Sequence, residues 1–349
     1  MPAGQPSVPG GLARENLLMR VEMESAGADT SISFKSCIFD SFANQGVIGG
    51  DSSFVGFMDS FRQGKLIQSA ALPSTVIPGG NVVSLHMNEI DNGIIAVING
   101  LSARSADGGA TWTAIASTVV AFATTALDVL TWRGSQLVSG NTKQTIPDRN
   151  YSVSLDNGVT WAGQFFSGAT SGSPRKMRKT PDGSLLAMVG QNSRLDITTS
   201  ADLTAAVWTS FDFLALFGFN INMVDIAFNG DGSKAVCISV NGDIVVSIDG
   251  LATFSEFDRN LNYFKQGTAG VLPLDWIVFV PAFDGFVLGN TEQAAFIPEA
   301  GSLNSMTVVN LCTNKAMGII EDACSMTDGN DVLVPASSNA GLLSPRPAT

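Results

Sequence analysis

Four aspartates invite a chemical reading. Asp128, Asp225, Asp275 and Asp322 occupy comparable positions in short, β-branched-rich segments, and Ser84 and Lys176 take the same place in two more. Carboxylates gathered this way suit two kinds of chemistry. A pair can divide acid and base between them in glycoside hydrolysis, for which Asp128, Asp225 and Asp275 are the candidates. A group can instead hold a hard cation. Their third role is structural, each carboxylate accepting hydrogen bonds from neighbouring backbone in a hydrated interior. The structural role is the expectation taken forward, with no catalytic residue, metal or cofactor assigned.

Other chemistries find less support. His86 is the only histidine, and no serine sits in a nucleophile-elbow sequence, so a hydrolytic triad is not expected. Cys37, Cys237, Cys312 and Cys324 lack any Cys-x-x-Cys spacing and read as buried reduced thiols rather than zinc ligands. One stretch, SPRKMRKTPDG (173–183), concentrates positive charge in an acidic chain. Strand alternation there places Arg175 and Lys179 on one face with Met177, and Lys176 and Arg178 on the other. These four are the candidate binding residues, for an anion or an acidic partner; otherwise they balance the neighbouring aspartates.

The elements that must position these residues are legible as a repeat. SADGGATW (105–112) returns 49 residues later as SLDNGVTW (154–161). A third copy, SADLTAAVW (200–208), is one residue longer and lacks the central glycine. A fourth, SIDGLATF (247–254), has Leu251 at the glycine position and Phe254 in place of tryptophan. The leading serines therefore lie 49, 46 and 47 residues apart. Between these boxes run segments such as IIAVING and LDVLTWRGSQLVSGN, short and bounded by turn residues. Asp-Gly or Asn-Gly pairs sit where tight hairpins are expected. Four strands fit each period, and a period in the forties marks the blades of a propeller.

The repeat resembles the Asp-box family, Ser-x-Asp-x-Gly-x-Thr-Trp, found in sialidase-like β-propellers. The matches are complete at Ser105, Asp107, Gly109, Thr111 and Trp112, and again at Ser154, Asp156, Gly158, Thr160 and Trp161. They are partial at Ser200, Asp202 and Trp208, and at Ser247, Asp249, Thr253 and Phe254. The resemblance implies that each box is the hairpin between the third and fourth strands of a blade, with a structural role. Extrapolating the period adds degenerate units at about 30–76 and 267–311 and a last unit from 315 that holds only three strands. NLLMRVEME (16–24) can supply its fourth. The predicted fold is thus all-β, a seven-bladed β-propeller closed by an N-terminal strand, with six or eight blades as alternatives. Residues 1–15 read as a flexible arm and 16–349 as a single domain.

Sialidases need three arginines, a Tyr-Glu pair and an acid-base aspartate. This chain has two tyrosines, Tyr151 and Tyr263, and lacks the family's Arg-Ile-Pro motif, so no sialidase catalytic residue transfers. Asp-box glucanases use sugar-stacking aromatics. Here Trp112, Trp161 and Trp208 belong to boxes, and Trp132 and Trp276 read as packing between blades. Photosystem assembly propellers are similar in blade count and carry an arginine patch, but their export segment has no counterpart here. Compact propellers rich in Ser, Gly, Ala and Phe and poor in lysine are also similar to accessory proteins of bacteriophage tails and capsids.

Composition narrows the function classes. A formal net charge of -12 disfavours nonspecific nucleic-acid binding, which depends on arrays of Lys and Arg. No apolar stretch approaches the roughly 20 residues of a membrane helix, and no secretory signal is visible. The expectation is a non-enzymatic structural or interaction propeller. It would serve a bacteriophage virion, made in the host cytoplasm, with other proteins of the assembly or symmetry copies as partners. The innermost strand of each blade would line the propeller's central channel. The rival is a glycan-binding or glycoside-hydrolysing propeller that uses the channel aspartates Asp128, Asp225 and Asp275.

Overall fold

Segments that read as near-continuous apolar runs, IIAVI (94–98), LAMVG (186–190), AVCIS (235–239) and GFVLG (285–289), each form the second strand of a sheet. A strand without polar alternation has no face to give to water and must be covered on both sides. Neighbouring sheets provide that cover. The computed structural model describes residues 18–24, 32–40, 45–52, 55–62, 65–71, 82–87, 93–98, 101–106, 111–115, 126–141, 151–164, 174–258, 274–281, 284–290, 293–301, 303, 306–310, 324–325, 332–335 and 340–346. These form seven four-stranded antiparallel sheets.

The first strands of the sheets are Ile32–Asp40, Val82–Met87, Ala126–Trp132, Pro174–Lys179, Met223–Phe228, Trp276–Val280 and Cys324–Ser325. Each packs against the next, and the last packs against the first, so the sheets stand as blades in a closed ring. In the seventh blade Leu18–Glu24 pairs antiparallel with Ala340–Arg346, from Leu18 opposite Arg346 to Glu24 opposite Ala340. The N-terminal strand therefore completes the sheet begun by the end of the chain, as its missing strand predicts. Residues 1–15, read as an arm, lie outside the described residues.

The core lies between blades. One cluster joins Val236, Ile238 and Val246 of the fifth blade to Phe286, Leu288 and Ile297 of the sixth. Another joins Leu130, Trp132 and Tyr151 of the third to Met177, Met188 and Trp208 of the fourth. Trp132 and Trp276 are fully buried, in keeping with a packing role. Polar clamps reinforce these seams. Gln136 donates to Ala201 O at 2.7 Å and accepts from Leu203 N at 3.0 Å, fastening the third blade to the hairpin of the fourth. Lys234, buried in the fifth blade, donates to Glu299 O and Gly301 O of the sixth at 2.7 and 2.8 Å. A buried lysine is tolerable because carbonyl oxygens replace its lost water. Sequence periodicity gives no hint of the 3₁₀ turn at Leu203–Ala205 or of the short α-helix at Phe213–Phe217.

Candidate functional site: the inner strands and the box hairpins

The inner strands of the second to fifth blades carry a β-bulge immediately before the aligned position, and that of the first carries one between Phe34 and Ser36. In the second to fifth the register shifts fall between Val82 and Ser84, Ala126 and Asp128, Pro174 and Lys176, and Met223 and Asp225. A bulge re-aims the side chain that follows it. Here it delivers Ser84, Asp128, Lys176 and Asp225 to equivalent places. Asp275 departs from this set. The sixth inner strand pairs without a bulge from Trp276 opposite Gly289 onward, which leaves half-buried Asp275 ahead of the strand, its N–H donating to Gly289 O at 2.9 Å. Asp322 lies outside the described residues.

Asp128 and Asp225 are buried, and their oxygens are engaged across blade seams. Asp128 accepts from Ser84 Oγ at 2.7 Å on one side and from Met177 N at 2.8 Å on the other. Asp225 accepts from Ile226 N at 2.9 Å and from Ile277 N of the next blade at 3.4 Å. Arg178 spans both carboxylates, at 3.7 Å from Asp128 and 3.1 Å from Asp225. One guanidinium from the fourth blade thus compensates aspartates of the third and fifth. Behind Asp225, burial and then the Asp225 charge push the free thiol of Cys237 well up, so it stays protonated.

The basic strand is only partly as its alternation implies. The bulge takes Arg175 out of the pleat, so it does not simply share the face of Met177, which is buried. Arg175, Lys176, Arg178 and Lys179 are all half-buried. Lys179 lines a groove of about 630 Å³ with Thr131, Arg133, Pro181, Asp182 and Ser184. Arg133 fastens one wall of it, donating to Gly183 O at 3.0 Å and Ser184 O at 2.6 Å.

His86 shares a 2.6 Å hydrogen bond with Thr131 Oγ1. Burial, helped by the Lys179 ammonium, pulls its pKa down to about 3. The unfolded imidazole titrates near 6.5, so the folded value is the lower one. The corresponding stability is full above about pH 6.5 and is lost as pH falls toward 3. We expect His86→Gln to flatten the decline in unfolding free energy between about pH 6.5 and 4.5, measured by urea titration. An unchanged slope would show that the imidazole is solvated.

The boxes form hairpins between third and fourth strands. In the third blade Ser154 Oγ donates to Asp156 Oδ1 at 2.8 Å and accepts from Gly158 N at 2.8 Å. Thr160 donates to Asp156 from its backbone at 2.8 Å and from its hydroxyl at 2.6 Å. Gly158 has a φ of +85°, and a Cβ there would meet Ile95 Cδ1 at 3.0 Å. Trp161 packs inward and donates from Nε1 to Gly158 O at 3.0 Å. The fifth-blade box repeats the Ser247–Asp249–Thr253 bonds, and Leu251 adopts the glycine's left-handed φ of +69° while filling the core. Phe254 contacts Phe211, Phe213 and Phe217 edge-on, taking the place of the tryptophan's packing.

The extra residue of the fourth-blade box is absorbed by the 3₁₀ turn, capped by Asp202. There Val207 N donates to Ser200 Oγ at 3.0 Å, and Trp208 Nε1 donates to Tyr151 Oη at 3.3 Å. In the second blade Ser105 and Trp112 are buried and Thr111 is exposed; Asp107 and Gly109 lie outside the described residues. A buried pair was not foreseen: Arg194 Nε donates to Asp196 Oδ2, and Ser210 Oγ to Asp196 Oδ1 at 2.5 Å. Burial pushes the Asp196 carboxyl up, against the pull of Arg194.

Among the described residues no helix is long and apolar enough to cross a membrane. No family model and no curated protein matches the sequence. Solved structures match its fold. YCF48 from Cyanidioschyzon merolae superposes with a TM-score of 0.62 at 10% identity, over 92% of this chain and 98% of that one. A structure of YCF48 bound to D1 peptide gives a TM-score of 0.65 at 13% identity, over 97% and 99%. At these identities the likeness is one of architecture, and the chain is an all-β propeller.

Proposed function

We propose that the chain is a non-enzymatic interaction propeller, and that Arg175, Lys176 and Lys179 contribute to docking an acidic segment of a protein partner, while Arg178 balances Asp128 and Asp225. The observation that carries this reading is the engagement of the channel aspartates. An acid or nucleophile must present an oxygen to its substrate. Asp128 and Asp225 instead spend theirs on backbone N–H groups of adjacent blades and on Arg178. A propeller of similar outline, YCF48, has been solved with a bound peptide, which supports a peptide-docking role for this architecture. The box hairpins read as Asp-box turns that hold blades together.

We place this docking within an assembly that repeats the chain by symmetry, the tail or capsid of a bacteriophage formed in the host cytoplasm. The support is compositional, with 21 phenylalanines and a charged fraction of 14%, since interface cores are depleted in charge and enriched in aromatics. The test pairs Arg175→Glu and Lys179→Glu in one variant. Binding of a fluorescent Asp/Glu-rich peptide should weaken at least about tenfold, roughly 1.4 kcal/mol, with the melting temperature retained. No aryl glycoside in a broad panel should be cleaved. Cleavage that Asp128→Asn abolishes without a change in melting temperature would establish the glycosidase reading instead.

A further inference from the structure

Six large apolar side chains stand exposed among the described residues, and four of them lie on box hairpins. Leu155 and Val159 are on the third-blade hairpin, Val207 on the fourth and Ile248 on the fifth, exposed by 61, 55, 74 and 60%. None belongs to the Ser, Asp, Gly, Thr and Trp set that builds the turn. Leu155 and Ile248 follow the leading serine of their boxes, a position the turn's hydrogen bonds leave unused. The fold has no need of apolar groups there, and water disfavours them.

These tips share one end of the ring. Strand direction alternates in an antiparallel blade, so the hairpins joining first to second and third to fourth strands emerge together. Contacts across seams agree: the first hairpin of the third blade bonds both hairpins of the fourth, through Arg133 to Gly183 and Ser184 and through Gln136 to Ala201. On the hairpins of the third to fifth blades this end is rich in carboxylates, with Arg133 exposed beside them and fastened to Gly183 O and Ser184 O. Asp156, Asp182, Asp202, Asp231 and Asp249 are exposed on these hairpins. Hydrogen bonds from Thr253 keep the Asp249 carboxyl below the usual range, and those from Thr204 and Ser233 do the same for Asp202 and Asp231. The Thr180 hydroxyl and then the Ser184 N–H hold Asp182 at about 2. The rim therefore keeps its negative charge through mildly acid pH.

We propose that this rim is a second docking surface, meeting the basic inner strand only at the groove where Lys179 adjoins Asp182, whose occupant is a basic amphipathic segment of a partner protein. Its apolar residues meet Leu155, Val159, Val207 and Ile248, and its lysines and arginines answer the hairpin aspartates. Charge selects this occupant over the others. A second copy would set one acidic rim against another, and like-charge juxtaposition across an interface is penalised. Nucleic acids and anionic membranes carry the same sign as the rim.

The test titrates the full chain with three synthetic peptides: a Lys/Leu amphipathic helix, the same peptide with leucines changed to serine, and the same with lysines changed to glutamate. The Lys/Leu peptide should bind at least about tenfold more tightly than either control, and weaken as salt rises from 50 to 300 mM, about the range over which screening grows. Leu155→Ser, Val207→Ser and Ile248→Ser together should remove that preference. Val207→Ser alone, at the most exposed tip, should weaken it severalfold if the triple variant folds poorly. Equal binding of the serine peptide, or unchanged binding by Val207→Ser, would overturn the proposal. So would a dimer in sedimentation velocity that Val207→Ser dissociates, which would make the occupant a second copy. Arg175→Glu/Lys179→Glu, which adds negative charge beside Asp182, should not weaken this binding while it weakens that of the acidic peptide, which separates it from the basic-strand reading.

Discussion

Trp161→Ala is expected to cost about 3–5 kcal/mol of stability, in the range for deleting a large buried aromatic. The Trp161 ring is 4% exposed and packs with Ile95, Val97, Ile115, Val129 and Leu137, which come from the second and third blades. Its loss opens a void in a seam rather than at an edge, where the rigid strands on either side cannot close it. It also strands Gly158 O, which accepts the indole N–H. Asp156→Ala on the same hairpin should cost less, about 1–2 kcal/mol, because the N–H groups it abandons reach water. Urea unfolding followed by circular dichroism checks both. A Trp161→Ala loss below 1 kcal/mol, or one smaller than that of Asp156→Ala, would show that the tryptophan is not the keystone of its seam.

Removal of residues 1–26 should have the largest effect of all. It takes away Leu18–Glu24, the partner of Ala340–Arg346 along seven paired positions. Strand Ala340–Arg346 then becomes a bare edge, free to recruit other chains. Closure is lost as well, because this strand is what ties the start of the chain to its last blade. We expect the melting temperature to fall by roughly 10 °C or more, as several kcal/mol would demand, together with aggregation on heating. A synthetic peptide spanning 16–26, added in trans, should restore part of the loss. Truncated protein that melts like the full chain would mean that the ring does not depend on this strand.

Much of this architecture was legible because a blade cannot bury itself. Each needs turn chemistry at fixed offsets and apolar strands between, so the period survives in Ser, Asp and a closing aromatic even where glycine has become Leu251 and tryptophan Phe254. The closing strand was legible by subtraction, from a last unit one strand short. The candidate site was harder to read. Aligning inner strands by type found Ser84, Asp128, Lys176 and Asp225, whose bulges recur. It misplaced Asp275, because a bulge is one extra residue and leaves no compositional mark. The bridging of Asp128 and Asp225 by Arg178 depends on which blade lies next to which, information that a single strand does not hold. The exposed tips of the hairpins looked like variable positions within a motif. Only the shared end of the ring makes them a surface.

Thermal unfolding of Asp225→Asn, run beside a glycoside hydrolysis assay, tests most directly whether the channel aspartates hold blades together or do chemistry. Asparagine keeps the shape but removes the charge that faces Arg178, 31% exposed at its own side chain. Deleting one member of a buried pair costs about 3–5 kcal/mol, and solvent around Arg178 reduces this to about 2 kcal/mol. The expected result is a lower melting temperature, with no glycoside cleaved by either protein. The contradicting result is a variant that melts like the parent while losing a hydrolytic activity the parent possesses.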